Sequence, residues 1–170
     1  VIAKNPGPFT FHGTGTYIVG HGNVAVIDPG PLVDSHVDAL LAAVADETVT
    51  HILITHTHRD HSPAAKPFKH VTGASSYAQG PHSLGTTWSH LDQHASNGAD
   101  LDFQPDHAVR DGDIIAGDGW TLEAVHTPGH TNNHLCFALL EESVLFSGDH
   151  VMGWSTTVVS PPDGDMRDYI

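Results

Sequence analysis

His56-Thr57-His58-Arg59-Asp60-His61 is the stretch on which the reading of this chain turns. It follows Val49 to Ile54, an apolar run with the length and residue types of a buried strand. A loop leaving a strand end can turn several side chains toward one point, where an extended strand would send alternate ones to opposite faces. Three imidazoles and a carboxylate within six residues form a donor set suited to a borderline-soft ion such as Zn²⁺.

Working outward, two further donors fall at strand ends. His130 lies in Thr127-Pro128-Gly129-His130-Thr131, a tight turn after a strand predicted at Thr121 to Val125. Asp149 lies in Ser147-Gly148-Asp149, after a strand predicted at Val144 to Phe146. Thr16 to Val19 and Val24 to Ile27 flank Gly20-His21-Gly22-Asn23 and read as a β-hairpin that Asp28-Pro29-Gly30 ends sharply. Val37, Leu40, Leu41 and Val44 have helical spacing, and Ser35 with Asp38 has the spacing of a capping box. Thr86 to Ser96 reads as a helix, and Ile114-Ile115 and His134 to Leu140 as further strands. Strand pairs alternating with helices predict a layered α/β domain over residues 1–170. Pro161 to Asp165 reads as a loop leading into a helix too short to hold itself together, so the domain is expected to be incomplete at its C-terminus.

Composition narrows the function classes. Six Lys and Arg against 20 Asp and Glu give a formal charge of −14, which disfavours general nucleic-acid binding. No apolar run is long enough to span a bilayer and no secretory leader is visible. Cys136 is the single cysteine, so no internal disulfide forms, and the expected location is cytoplasmic. Sixteen histidines are too many for all to be ligands, so spacing has to select among them. His126 and His134 flank the His130 turn and are placed to orient ligands through hydrogen bonds. His82, in Gly80-Pro81-His82, has no supporting spacing.

The ordered set Asp28, His56-x-His58-x-Asp60-His61, His130 and Asp149 resembles the signature motifs of the metallo-β-lactamase superfamily. The resemblance implies an αββα sandwich with two zinc ions at one edge. By position it implies that His56, His58 and His130 hold the first ion, that Asp60 and His61 hold the second, and that Asp149 bridges them. Asp28 would sit beneath the site without ligating. The superfamily has one more histidine on the second metal, but no histidine follows His150 here, and the missing ligand is expected beyond Ile170. The implied chemistry is attack by a metal-bound hydroxide, with Asp60 as catalytic residue orienting the nucleophile or moving its proton.

Within the superfamily, His58 stands where diiron flavoproteins have Glu, which favours hydrolysis. Asp149 as a bridge argues against a true antibiotic-degrading β-lactamase. Glyoxalase II enzymes follow the bridging Asp with a Cys-Gly-Lys/Arg element, whereas this chain continues His150-Val151-Met152-Gly153-Trp154. Asn5 to Thr10, Gly13 to Gly20 and Gly148 to Gly153 resemble the beta-lactamase-like protein 2 group. The favoured expectation is a hydrolase of a small-molecule ester, thioester or related bond. The alternatives are a phosphodiesterase or ribonuclease of that group, a glyoxalase II-like thioesterase, and a non-catalytic metal-stabilised binding module.

Overall fold

A computed structural model describes residues 1–83 and 98–170; the helix expected at Thr86 to Ser96 lies outside the described residues. The expected hairpin forms from β1 (Tyr17–Val19) and β2 (Asn23–Ile27), paired antiparallel. β3 (Thr48–Leu53) lies parallel to β2, β4 (Ser75–Ala78) parallel to β3, and the short β5 (His107–Ala108) closes a five-stranded sheet in the order β1-β2-β3-β4-β5. A second, antiparallel sheet runs β6 (Ile114–Ala116), β7 (Thr121–His126), β8 (Leu135–Leu139) and β9 (Val144–Phe146) in sequence order.

Alternation along the strands builds two cores. Val24, Val26, Ile52 and Ile54 point to one face of the first sheet, where Leu40 and Val44 at one helix and Ala65 and Phe68 of another cover them. Ala25, Ile27 and Leu53 point to the other face and pack against Leu122, Ala124, Leu135 and Phe137 of the second sheet. Each fully buried aliphatic or aromatic side chain contributes roughly 1.5–3 kcal/mol of hydrophobic free energy. Trp120 clamps the two sheets, its Nε1–H donating to the Asn23 carbonyl at 2.9 Å.

The helix α1 (Asp34–Ala43) buries Val37 and Leu40 as its periodicity predicts, but it begins one residue before Ser35. Val33 occupies the N-cap and no side-chain cap bond forms, so the capping box is not made. α2 (Ala65–Thr72) is a helix that no complete apolar periodicity marks in the sequence; Gly73, at φ 74°, stops it in the left-handed region. α3 (Met166–Tyr169) is the expected short terminal helix. It is held by a local cap and a tertiary contact: Asp165 at the N-cap accepts from the Arg167 N–H, and the Tyr169 hydroxyl donates to the His150 carbonyl at 2.9 Å. On the outer face of the second sheet Ile114, Glu123, Ala138 and Leu145 form one cross-strand row, and Ile114 and Leu145 are exposed. Among the described residues no helix is long and apolar enough to cross a membrane.

Candidate metal centre

The loop between β3 and α2 carries the histidine cluster. It folds back because the His61 N–H and the Ser62 N–H both bond to the His58 carbonyl, at 2.9 and 3.1 Å. This turn brings His56, His58, Asp60 and His61 toward one edge of the sandwich. His130 arrives from the β7–β8 turn and Asp149 from the turn after β9. Gly148 has φ 48°, and a Cβ there would lie 2.7 Å from His134 Nε2 and 2.8 Å from Thr55 Oγ1. Only glycine lets that turn pass so close beneath the site.

His56, His58, His130 and Asp149 each offer one donor atom, and these atoms all lie within 4.8 Å of one another. His56 Nε2 is 2.9 Å from His58 Nδ1, and His130 Nε2 is 3.0 Å from the same atom. Asp149 Oδ2 is 4.0 Å from His56 Nε2 and 3.5 Å from His130 Nε2. A tetrahedral ion with bonds of about 2.0–2.1 Å separates its ligands by roughly 3.3 Å, in the middle of that range. Asp149 Oδ1 turns the other way, 3.4 Å from His61 Nε2, which also lies 3.3 Å from Asp60 Oδ2. Asp149 thus faces two donor groups at once, with His56, His58 and His130 on one side and Asp60 and His61 on the other.

The hydrogen bonds around the rings fix which nitrogens are free. Thr55 Oγ1 donates to Asp28 Oδ2 at 2.7 Å, so at 3.0 Å it accepts from His56 Nδ1. His130 Nδ1 donates to the Val158 carbonyl at 2.6 Å, and His61 Nδ1 donates to Asp28 Oδ2 at 2.8 Å. His56 and His130 therefore present Nε2 lone pairs to the cluster, whereas His61 turns its Nε2 toward the carboxylates of Asp60 and Asp149. A proton on His58 Nδ1 would serve one neighbouring lone pair well; a cation satisfies all three. The buried His61 Nε2 likewise has no hydrogen-bond partner. The donor set fits a metal ion.

Electrostatics agree. Burial, reinforced by the neighbouring His61, His58 and His130, holds His56 far below the usual imidazole pKa. Burial and His58 lower His130 in the same way. Burial would also lower His61, but the carboxylates of Asp60, Asp149 and Asp28 outweigh it and raise that ring well above its ordinary value. Asp60 and Asp149 feel the reverse: burial raises each, but His61, with Thr14 and His58 at Asp60 and His130 at Asp149, more than offsets it and lowers both. In the metal-free protein the Asp60, Asp149 and Asp28 carboxylates therefore favour a second proton on His61.

Asp28 lies buried next to His61 and Thr55. It takes the Thr55 N–H on Oδ1 at 2.8 Å and holds His61 on Oδ2. His134 accepts the Asp149 N–H on Nε2 at 3.2 Å while its Nδ1 meets Thr127 Oγ1 at 2.8 Å, so it steadies the Asp149 turn. His126 does not reach the ligands; its Nε2 donates to the Asn132 carbonyl at 3.0 Å and braces the His130 turn. His150 packs against Tyr169, with ring centroids 4.8 Å apart, and stays out of the cluster. Spacing gave no hint of three contributors. Thr14 Oγ1 donates to Asp60 Oδ2 at 2.9 Å, His82 lies buried behind Thr57, and Asp163 approaches His58. Gly80-Pro81 ahead of His82 and Pro161-Pro162 ahead of Asp163, both turn formers, were the only local signals.

A family model described as the metallo-beta-lactamase superfamily matches residues 10–170. An atrochrysone carboxyl ACP thioesterase of Aspergillus terreus is 35% identical over 162 residues, covering 94% of this chain and 45% of that protein. The chain spans a little under half the length of the curated relatives it matches. The crystal structure of the B3 metallo-beta-lactamase BLEG-1 is similar with a TM-score of 0.72 at 22% identity, over 96% of this chain and 78% of that one. TTHA1623, solved in a di-iron-bound form, gives a TM-score of 0.71 at 23% identity over 99% and 80% of the two chains. The two structures share the fold, and the family-model match over nearly the whole chain adds descent to it: this chain belongs to the metallo-beta-lactamase superfamily.

Proposed function

We propose that the protein is a zinc-dependent hydrolase of acyl thioesters. His56, His58, His130 and Asp149 would hold one ion, and Asp60, His61 and Asp149 the second. The observation that carries this reading is the convergence of unprotonated imidazole nitrogens on Asp149 beside a large cavity. That cavity has a volume of about 760 Å³, and Phe9, Pro31, Met152 and Trp154 line it together with His58 and Asp60. Such a volume suits a substantial acyl group rather than a small acid.

Held by these residues, two zinc ions would supply a water acidified to near neutrality and an electrophile for the carbonyl oxygen. The chain's own residues do the rest. Asp60, fixed by Thr14, lines the cavity and accepts a hydrogen bond from the attacking water, which orients it. The apolar wall excludes bulk water and positions the acyl chain. Cys136 is no rival nucleophile: it is buried, and burial raises its thiol above the ordinary range.

The thioester is favoured over a phosphodiester by two facts. The matched Aspergillus relative is named an acyl-carrier thioesterase, and a charge of −14 repels polyanions. The test is a substrate panel on the metal-loaded full-length protein: an acyl group on a carrier-type pantetheine thiol, S-lactoylglutathione, an aryl ester, bis-p-nitrophenyl phosphate and single-stranded RNA. Thiol release from the carrier-type thioester should lead the panel and stop on chelation. Metal analysis should find about two zinc ions per chain, with a sharp fall in His58→Ala and Asp149→Ala. Preferential cleavage of RNA or of the phosphodiester would sink the proposal, as would full activity in metal-free protein.

A further inference from the structure

The chain beyond Asp149 turns back across the cluster and touches its ligands from outside. Thr157 Oγ1 donates to the Asp149 carbonyl, the Val158 carbonyl accepts from His130 Nδ1, and Asp163 Oδ2 lies 3.8 Å from His58 Nε2. One segment, residues 157–163, therefore reaches three of the four members of the first donor group. Its far end is pinned, because the Asp165 N–H donates to the Gly129 carbonyl at 2.9 Å, in the turn that carries His130.

Asp163 is where this segment meets a second histidine. Its Oδ1 is 3.2 Å from His82 Nε2, and the His82 side chain is 2% exposed. Behind that ring the dipoles run in one direction. Asn133 Nδ2 donates to Thr57 Oγ1 at 2.8 Å, which lets the Thr57 hydroxyl donate to His82 Nδ1 at 3.2 Å and leaves the His82 proton on Nε2, facing the carboxylate. On the other side, His58 presents Nδ1 to the cluster, so its proton is on Nε2 and also faces Asp163. At 3.2 and 3.8 Å these contacts are electrostatic rather than full hydrogen bonds, and the 12% exposure of the Asp163 side chain limits their screening.

We propose that Asp163, backed by His82, is a positioning residue for the first metal: it holds His58 in the tautomer and rotation that leave Nδ1 open to the ion. Seating of segment 157–163 then becomes part of metal affinity. This rests on reading His56, His58, His130 and Asp149 as metal ligands. A carboxylate behind a ligating imidazole raises the basicity of the ligating nitrogen and fixes the ring, and loss of such a partner typically costs 10–100-fold in affinity.

The experiment is zinc titration of the metal-stripped full-length protein against a chromophoric chelator, with cobalt(II) absorption spectra and thermal midpoints of the metal-free forms. Asp163→Ala should weaken the first site on the order of 10–100-fold and alter its cobalt spectrum, leaving the metal-free midpoint unchanged. Asp163→Asn, which keeps the shape and loses the charge, should show a loss in the same direction. His82→Gln should show a smaller one. Wild-type affinity and spectrum in both Asp163 variants would overturn the inference, and so would an affinity loss that merely follows a fall in the metal-free midpoint. If Asp163→Ala fails to fold, Asp163→Asn decides on the same two readouts. Failure of the wild-type protein itself to bind zinc would instead overturn the underlying metal reading.

Discussion

Asp28 shows how much one side chain can organise without touching a metal. It is a non-glycine residue at φ 50°, and its buried carboxylate serves the Thr55 N–H, the Thr55 hydroxyl and His61 Nδ1 together. Asp28→Ala strands a buried backbone N–H and leaves His61 free to rotate. The expected cost is about 1–3 kcal/mol of stability, read from the denaturant midpoint of metal-free protein. Metal analysis of the same variant should show the second zinc lost before the first. An unchanged midpoint with both ions retained would contradict this role. The cluster at His56 to His61 was legible in the sequence, because three imidazoles and a carboxylate packed behind an apolar run leave a local signature. His82 and Asp163 were not legible. They lie far apart in the chain and meet only when the second sheet and the terminal segment fold over the β3 loop, so no local spacing announces them.

Regular elements were readable where their periodicity was complete. The β1–β2 hairpin, β3 and the strands of the second sheet follow from apolar runs bounded by polar or glycine-containing segments. α2 was not readable, because it offers only Ala65 and Phe68 as buried residues and carries Pro67. That proline is tolerated because it sits in the first turn, where the backbone N–H has no helical partner. α1 is seated by a contact that its periodicity does not reveal. His36 reaches the Pro29 carbonyl at 2.9 Å and Thr16 Oγ1 at 3.2 Å, docking the helix on the turn that ends β2. Burial lowers the His36 pKa more than the Pro29 bond raises it, so the folded protein takes up this proton less readily than the unfolded chain does. Its stabilising contribution is thus complete above the unfolded value of about 6.5 and is lost as the pH falls below it. His36→Gln keeps a donor for Pro29 but cannot titrate. Between pH 8 and 5.5 its denaturation midpoint should therefore fall less than that of the wild type, both measured metal-free. Parallel pH profiles would show that His36 has no part in the acid sensitivity.

The two sheets meet along a mainly apolar interface, yet the donor groups are split between them. His56, His58, Asp60 and His61 leave the first sheet after β3, whereas His130 and Asp149 leave the second after β7 and β9. A metal held by both sets acts as a cross-link at the edge of the sandwich. It also answers a problem of charge, since an excess of 14 acidic groups over basic ones strains the compact state by mutual repulsion, and Asp28, Asp60 and Asp149 all crowd around His61. Metal binding should therefore stabilise the whole domain. For a ligand that binds only the folded state, the gain is about 2.7 kcal/mol at 100-fold and about 4.1 kcal/mol at 1,000-fold excess over the dissociation constant. Calorimetry of stripped protein titrated with zinc should show a thermal midpoint that climbs with free metal according to that relation. Raising sodium chloride from low to physiological ionic strength should lift the midpoint of the stripped form more than that of the loaded form, because screening relieves a repulsion that bound zinc has already reduced. A midpoint indifferent to zinc would mean that the donors do not bridge the sheets. Equal salt responses in the two forms would mean that the acidic excess is spread over the surface and does not act at the metal edge.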